Sequence, residues 1–123
     1  MNTLTQQVQA FHELIEQGDT LQAMELYYAD AVTLHENDEP PRVGKSACMA
    51  HEKKLLTQVS DLQIKVLHQA IDLVAEVVFS ELDLFFVNGK GEKQRLHEVS
   101  VQHWQNGQIV KEQFFYKAFT TVE

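Results

Sequence analysis

The sequence is short of several features that mark whole classes of protein. Its 123 residues contain one cysteine, Cys48, so no disulfide can form within the chain. Only 10 lysines and arginines stand against 18 aspartates and glutamates, which gives a formal net charge of −8. Because nucleic acids and anionic membrane surfaces bind basic patches, this charge argues against both. We therefore expect no nucleic-acid partner and no membrane partner.

Long apolar runs are missing as well. No stretch approaches the roughly 20 apolar residues that a membrane-spanning helix needs, and residues 1–9 lack the basic and apolar regions of a signal peptide. The single cysteine fits a reducing compartment, so we expect a cytoplasmic protein. The chain has no repeats or low-complexity segments, and its length is close to that of one domain. The sequence predicts a single domain over 1–123.

Apolar residues recur at helical spacing in three segments of the first half. The first helix is predicted to end at Gly18, and either Asp19 or Thr20 can cap the second. The third helix places either His51 or Glu52 beside its apolar residues. The apolar positions are Leu4, Val8, Phe11 and Ile15 in the first helix, Leu21, Met24 and Tyr28 in the second, and Cys48 and Leu55 in the third.

Strands are predicted by alternation with period two. A short strand over 31–36 precedes the third helix, and long strands follow it over 62–70 and 74–87. Helices first and an antiparallel meander afterwards predict an α+β fold with the helices on one face of a curved sheet. Phe85 and Phe86 break the alternation, which predicts a bulge and leaves the facing of Glu81 and Asp83 open.

The end of the chain, 95–119, reads as one β-hairpin. Asn106-Gly107 suits a type I′ turn, and counting outward from it pairs Trp104 with Ile109 and Val101 with Glu112. One face then combines apolar and ionisable side chains, namely Val99, Val101, Val110, Phe114 and Ala118 with His97, His103, Glu112 and Tyr116. Ionisable groups on a face that should be core predict a lined cavity.

The opposite face of this hairpin carries a second apolar set. Its members are Leu96, Trp104, Ile109, Phe115 and Phe119. With the helices on the other side of the sheet, this patch would meet water in a monomer, and such patches usually mark an interface. We expect a homodimer formed through the back of the sheet at Trp104, Ile109 and Phe115.

The order of elements and several short motifs resemble the SnoaL-like branch of the nuclear transport factor 2-like superfamily. The motifs are 11–19, 28–32, 41–44, Trp104-Gln105-Asn106-Gly107-Gln108-Ile109 and Phe114-Phe115-Tyr116. The resemblance implies three helices packed on a strongly curved antiparallel sheet, a cone-shaped, cystatin-like barrel with a pocket open at one end. It also implies pairing back of sheet to back of sheet. Members include polyketide cyclases, ketosteroid isomerases and dehydratases, and others are binding or dimerisation domains without catalysis.

One residue role follows from the resemblance. The isomerase branch has a carboxylate base at the end of the first strand, and Glu36 matches it in place, as Glu rather than Asp. Alternation puts Glu36 on the face of Val32 and Leu34. Many SnoaL-like chains end the last strand with Tyr-Asp, whereas this chain has Tyr116-Lys117, so the role of that aspartate is absent.

These observations predict a proton-transfer site. Glu36 and Glu112 are the catalytic candidates, since a carboxylate buried among apolar groups has a raised pKa and can act as a base. His97 and Tyr116 are candidate donors to an enolate oxygen. The predicted substrate-binding residues are His97, Tyr116, Phe114, Val99 and Leu34. The His-Glu pairs do not extend to a His-Glu-x-x-His motif, so we expect no metal and no cofactor.

Two functions of different classes fit the sequence. The first is an isomerase, cyclase or dehydratase that transfers a proton next to a carbonyl group of a small apolar ligand. The second is a ligand-binding or dimerisation module without catalysis. Convergence of Glu36 with His97 or Tyr116 in a dry pocket favours the first function. Pairing of the carboxylates with Arg42 or Arg95 favours the second.

Overall fold

A computed structural model describes residues 2–122. Its helices are α1 (Leu4–Glu16), α2 (Thr20–Tyr27) and α3 (Lys45–Gln58). Its strands are β1 (Tyr28–Glu36), β2 (Arg42–Val43), β3 (Ser60–Asp72), β4 (Val77–Val87), β5 (Lys93–Gln105), β6 (Gln108–Tyr116) and β7 (Thr120–Thr121). Within the described residues, no helix has both the length and the apolarity needed to cross a membrane.

Helix α1 begins at a capping box. Thr3 Oγ1 accepts a hydrogen bond from the Gln6 backbone N–H at 3.2 Å, and Gln6 Oε1 accepts one from the Thr3 N–H at 2.9 Å. Gly18, at φ 87°, turns the chain from α1 into α2. Tyr28, which the helical spacing assigned to α2, is instead the first residue of β1.

Six strands form one curved sheet in the order β2-β1-β6-β5-β4-β3, and β7 pairs with β5. β1 and β6 run parallel, whereas the other neighbouring strands are antiparallel, so the sheet is mixed. The two ends of the strand order, β2 and β3, do not pair within the described residues, and the sheet is therefore not a closed barrel. The predicted α+β class, with three helices packed on a curved sheet, is confirmed.

The last hairpin turns where the sequence predicts. Asn106 at φ 52° and Gly107 at φ 75° form the turn, and Trp104 pairs with Ile109. The register then shifts by one residue at Val110, so that Gln102, not Val101, lies opposite Glu112. The predicted Val101–Glu112 pairing is wrong because a bulge adds one residue to β6 beside the turn.

The predicted facing is reversed along β5 and at Ile109, before the bulge, and it is kept in β6 beyond the bulge. Glu112, Phe114 and Tyr116 line the interior as predicted. The inner face of β5 carries Leu96, Glu98, Ser100, Gln102 and Trp104, so His97, Val99, Val101 and His103 lie on its outer face. The predicted inward facing of these four residues is wrong. Since side chains alternate along a strand, a slip of one residue moves a whole set to the other face.

The predicted patch on the back of the sheet changes for the same reason. Trp104 and Ile109 are 3% and 0% exposed, and the Trp104 ring packs edge-on against Phe11 with ring centroids 6.3 Å apart. Their predicted place in a dimer interface is therefore wrong. Phe115 is 46% exposed and lies opposite Val99 on the outer face. On the same face, Phe79 of β4 is also 46% exposed and lies opposite Val101. We name Phe79, Val99, Val101 and Phe115 the outer patch.

Strand β4 settles the facing that the sequence leaves open. Its pairing with β5 is continuous from Val77 to Val87, so the predicted bulge at Phe85–Phe86 is wrong. Two irregularities lie instead in β3, one between Ser60 and Gln63 and the other between Val66 and His68. Glu81 and Asp83 face outward, and Glu81 accepts hydrogen bonds from His68 at 2.7 Å and from His97 at 2.9 Å.

Candidate functional site

A cavity of about 230 Å³ lies between the inner face of the sheet and the helices. One side of the cavity is apolar. It is formed by the C-terminal end of α3 and by β3 and β4, with Leu55, Leu56, Leu62, Ile64, Leu82 and Leu84. The ionisable groups lie on the other side, at β1, β2, β5, β6 and the middle of α3. They are Glu36, Arg42, Glu52, Glu98 and Glu112, with the hydroxyl of Ser100 among them. One compartment thus joins a hydrocarbon surface to a cluster of ionisable groups.

Four buried side chains form a hydrogen-bonded network at the floor of the polar side. Trp104 Nε1 donates to Gln102 Oε1 at 3.0 Å, and Gln102 Nε2 donates to Glu112 Oε2 at 2.6 Å. The Tyr28 hydroxyl donates to Glu112 Oε1. An indole N–H can only donate, so it fixes which end of the Gln102 amide faces Glu112. Both carboxyl oxygens of Glu112 are therefore occupied by partners from the protein.

Burial raises the pKa of Glu112, although the hydrogen bonds from Tyr28 and Gln102 act in the opposite direction. Burial and the neighbouring Glu112 also raise the pKa of Tyr28, so its hydroxyl keeps its proton. The network that joins β1, β5 and β6 is thus satisfied internally.

Glu98 is a second buried carboxyl group with a raised pKa. It is 7% exposed, and burial first, then the charges of Glu112, Glu36 and Glu52, raise its pKa to about 8. No hydrogen bond from the described residues offsets these causes. Glu98 is consequently a carboxylic acid at neutral pH, able to donate a proton into the cavity.

Glu36 meets a different partner. Arg42 Nη1 lies 3.2 Å from Glu36 Oε2, and both side chains are partly exposed. A carboxylate thus pairs with Arg42. On the sequence alone, this pairing is a sign of a module without catalysis. Glu52 lies near the same pair, and burial raises its pKa while Arg42 and a 3.5 Å hydrogen bond from Thr20 lower it.

Buried polar atoms without a partner concentrate around this cavity. Within residues 2–122 they are His12 Nδ1, Arg42 Nε and Ser100 Oγ, and all three residues line it. Since buried polar groups in folded proteins are nearly always hydrogen-bonded, a ligand is a natural partner for such atoms.

The structure brings together five of the seven predicted site residues. Leu34, Glu36, Glu112, Phe114 and Tyr116 line the cavity, and their roles stay predictions. His97 and Val99 lie on the outer face, so their predicted placement in the cavity is wrong. His51 and Glu52, between which the helical spacing did not decide, both line it.

Sequence reasoning missed Tyr28, Arg42, Glu98, Ser100 and Gln102 as cavity residues. The available signal was the alternation of Leu96, Glu98, Ser100, Gln102 and Trp104, which is polar at its centre and apolar at both ends. Val99 and Val101 make the opposite face look like core, and this concealed the pattern.

Solved structures share this fold at low sequence identity. A Mesorhizobium loti protein described as a SnoaL-like polyketide cyclase is 23% identical, with a TM-score of 0.78 over 94% of this chain and 100% of that chain. A Xanthomonas campestris protein described as a polyketide cyclase is 20% identical, with a TM-score of 0.80 over 93% and 90%. A Mycobacterium tuberculosis LEH-like epoxide hydrolase is 13% identical, with a TM-score of 0.75 over 93% and 82%.

Comparison with curated proteins gives no match. The likeness to solved structures supports a fold that encloses a ligand pocket. Residues 8–112 match the SnoaL-like domain, and the chain therefore belongs to the SnoaL-like family of the nuclear transport factor 2-like superfamily, as its motifs predicted.

Proposed function

We propose that this protein is a cofactor-independent isomerase, cyclase or dehydratase that transfers a proton next to the carbonyl group of a small apolar substrate. The observation that carries the proposal is Glu98, a buried carboxylic acid with a pKa of about 8 in a cavity that is apolar on one side. Two related solved structures, described as polyketide cyclases, add support from their names.

The acid and base roles follow from the environments of two carboxyl groups. Glu98 holds its proton, whereas Glu36 is ion-paired with Arg42, so the cavity offers an acid and a carboxylate together. Glu36 lies opposite Phe114, and Phe114 lies opposite Ser100, so that Glu36 and Glu98 occupy neighbouring rows of the inner face. Glu112 is the second candidate base in the cavity, and Tyr116 is a candidate donor.

The proposed step balances without a cofactor. Glu36 removes a proton from the carbon beside the carbonyl, and the electrons of that C–H bond form a C=C bond. The carbonyl π electrons move to oxygen, which takes the proton of Glu98. Glu36 then returns its proton to the original carbon or to a conjugated carbon, and the enol hydroxyl returns its proton to Glu98, which completes an isomerisation and restores both carboxyl groups.

The test follows hydrogen exchange on a simple ketone. In D2O, the wild-type protein should accelerate deuterium incorporation at C2 of 1-tetralone, measured by ¹H NMR. Glu98→Gln should lower this rate by about 100-fold, because general acid–base catalysis typically contributes 10²–10⁴-fold. Glu76→Gln, an exposed residue before β4, is the matched control and should keep the wild-type rate.

Two further variants separate the candidate bases. Glu36→Gln and Glu112→Gln should each be compared in the same assay, and the larger loss identifies the base. A wild-type protein that binds 1-tetralone without accelerating exchange would contradict the enzyme proposal.

The second candidate function is a ligand-binding module without catalysis. The ion pair between Glu36 and Arg42 favours it, since this carboxylate already has a cationic partner, and so does the internal satisfaction of Glu112. This function predicts binding of 1-tetralone with no exchange, and equal binding by wild type and Glu36→Gln.

We also propose a homodimer through the outer patch. Phe79 and Phe115 are each 46% exposed, and with Val99 and Val101 they form an apolar surface that the helices leave uncovered. Phe115→Glu should shift the protein toward monomer in sedimentation velocity, because it buries a charge in the interface. Leu26→Glu, on α2 away from this face, should not. A wild-type protein that is monomeric at high concentration would contradict the dimer.

A further inference from the structure

Ser100 carries a buried hydroxyl that the described part of the protein leaves without a hydrogen bond. The residue is 1% exposed, lies at the middle of β5 and lines the cavity. Its Oγ atom has no partner within residues 2–122. Leaving a buried polar group unsatisfied costs stability, so a hydroxyl retained at this position needs an explanation.

The strand beside it holds a serine with a partner. Ser80 on β4 lies directly opposite Ser100, is equally buried, and its Oγ lies 3.4 Å from His12 Nε2. The two residues therefore share residue type, burial and position in the sheet. They differ in one respect, since Ser100 faces the cavity with its hydroxyl free.

The neighbours of Ser100 define what would bind there. Glu98 lies two residues earlier on the same face and holds its proton at neutral pH. The O–H groups of both residues are donors, and an acceptor oxygen between them would satisfy both. Four carboxyl groups line the same cavity against one arginine, which disfavours an anionic ligand.

We infer that Ser100 and Glu98 form a two-donor site for one uncharged oxygen atom of the ligand, whose hydrocarbon part lies against the leucines of β3, β4 and α3. The inference rests on the proposed function for the presence of a carbonyl ligand, but it concerns binding and not turnover. At about 230 Å³ the cavity is smaller than the roughly 300–1,000 Å³ of pockets that bury drug-sized ligands. The ligand class is therefore a small cyclic or short-chain ketone rather than a large polycyclic compound.

The test compares 1-tetralone with tetralin, which has the same ring system without the oxygen. Both are titrated into ¹⁵N-labelled protein at pH 6.5 and followed by NMR. Wild type should bind 1-tetralone at least about fivefold more tightly than tetralin, as expected for hydrogen bonds to one oxygen. Ser100→Ala should weaken 1-tetralone binding by about 3- to 10-fold and leave tetralin binding unchanged. Ser100→Thr keeps the hydroxyl and should retain the preference.

Thermal unfolding without ligand gives an independent readout. Ser100→Ala removes an unsatisfied hydroxyl, so its Tm should equal or exceed that of wild type. Ser80→Ala, the matched control, should lower the Tm by a few degrees because His12 loses its partner, and should keep the 1-tetralone preference.

Two results would overturn the inference. One is equal affinity for the two probes in wild type, including failure of both to bind at the solubility limit of tetralin. The other is a Ser100→Ala variant that binds 1-tetralone like wild type, whether or not it loses stability as Ser80→Ala does. Selective binding without deuterium exchange would contradict the proposed catalysis and leave this inference intact.

Discussion

Replacing Glu98 with glutamine should stabilise the protein above pH 8 and leave its stability near pH 5 almost unchanged. The carboxyl group of Glu98 has a pKa of about 8 in the folded protein against an ordinary value of 4.5. Between these values the folded state holds a proton that the unfolded state has released. Stability therefore falls as the pH rises from about 4.5 to about 8. Glutamine has the shape of the neutral acid and does not titrate, so the variant does not lose this stability as the pH rises.

The size of the effect follows from the same two values. At about 1.4 kcal/mol for each pH unit, Glu98 alone makes the wild type up to about 5 kcal/mol less stable at pH 8 than at pH 4.5. Urea unfolding of wild type and Glu98→Gln at pH 5, 6, 7, 8 and 9 measures the difference. Burial raises the pKa of Glu112 and Glu52 too, so the free energy of unfolding depends on pH in both proteins. The difference between wild type and Glu98→Gln at each pH isolates the contribution of Glu98.

Glu76→Gln is the matched control for this experiment, because Glu76 is exposed. Its free energy of unfolding, plotted against pH, should run parallel to that of wild type. If Glu98→Gln also ran parallel to wild type across the range, the buried acid would not titrate near pH 8. The acid role proposed for Glu98 would then lose its basis.

Replacing Trp104 with alanine should lower the free energy of unfolding by about 3–5 kcal/mol, the range for deleting a large buried aromatic side chain. Trp104 packs against Phe11 and Tyr27, with ring centroids 6.3 and 5.8 Å apart, and its N–H holds Gln102 in place. Trp104→Phe keeps most of the packing but leaves Gln102 Oε1 without its donor, so it should cost less.

Phe115→Ala is the comparison that tests the facing of β5 and β6. Phe115 is 46% exposed on the outer face, so its loss should cost about 1 kcal/mol or less at a protein concentration where the chain is monomeric. Emission of the single tryptophan follows the unfolding of wild type and Phe115→Ala, and circular dichroism follows the Trp104 variants. If Trp104→Ala and Phe115→Ala lowered the free energy of unfolding equally, this result would contradict the assignment of Trp104 to the core.

Local chemistry explains which parts of the fold the sequence predicted well. Asn106 and Gly107 tolerate positive φ angles, so the turn and its first pair, Trp104 with Ile109, could be placed from the dipeptide alone. The apolar spacing of α1, with Val8 and Phe11 buried, likewise depends on the helix itself. Glu36 could be assigned to the cavity because β1 alternates without interruption between Val32 and Glu36.

The candidate site was harder to predict because β5 places polar residues on its inner face and apolar residues on its outer face. Glu98, Ser100 and Gln102 face inward, and Val99 and Val101 face outward, so a rule that places apolar residues inside selects the wrong face of β5. A single added residue at Val110 sets this facing. Such a bulge forms where two strands and their packing require it, and one strand's sequence does not reveal it.

The sequence by itself determined the α+β class, the three helices, the last hairpin and the family, since propensity, turn chemistry and short motifs act over a few residues. Only the tertiary structure decided which face of β5 lines the cavity, which carboxyl groups meet Arg42 or Tyr28, and which hydroxyl is left free. These features join residues far apart in the chain, such as Tyr28 and Glu112. Burial and hydrogen-bond partners, and with them every pKa, depend on that assembly.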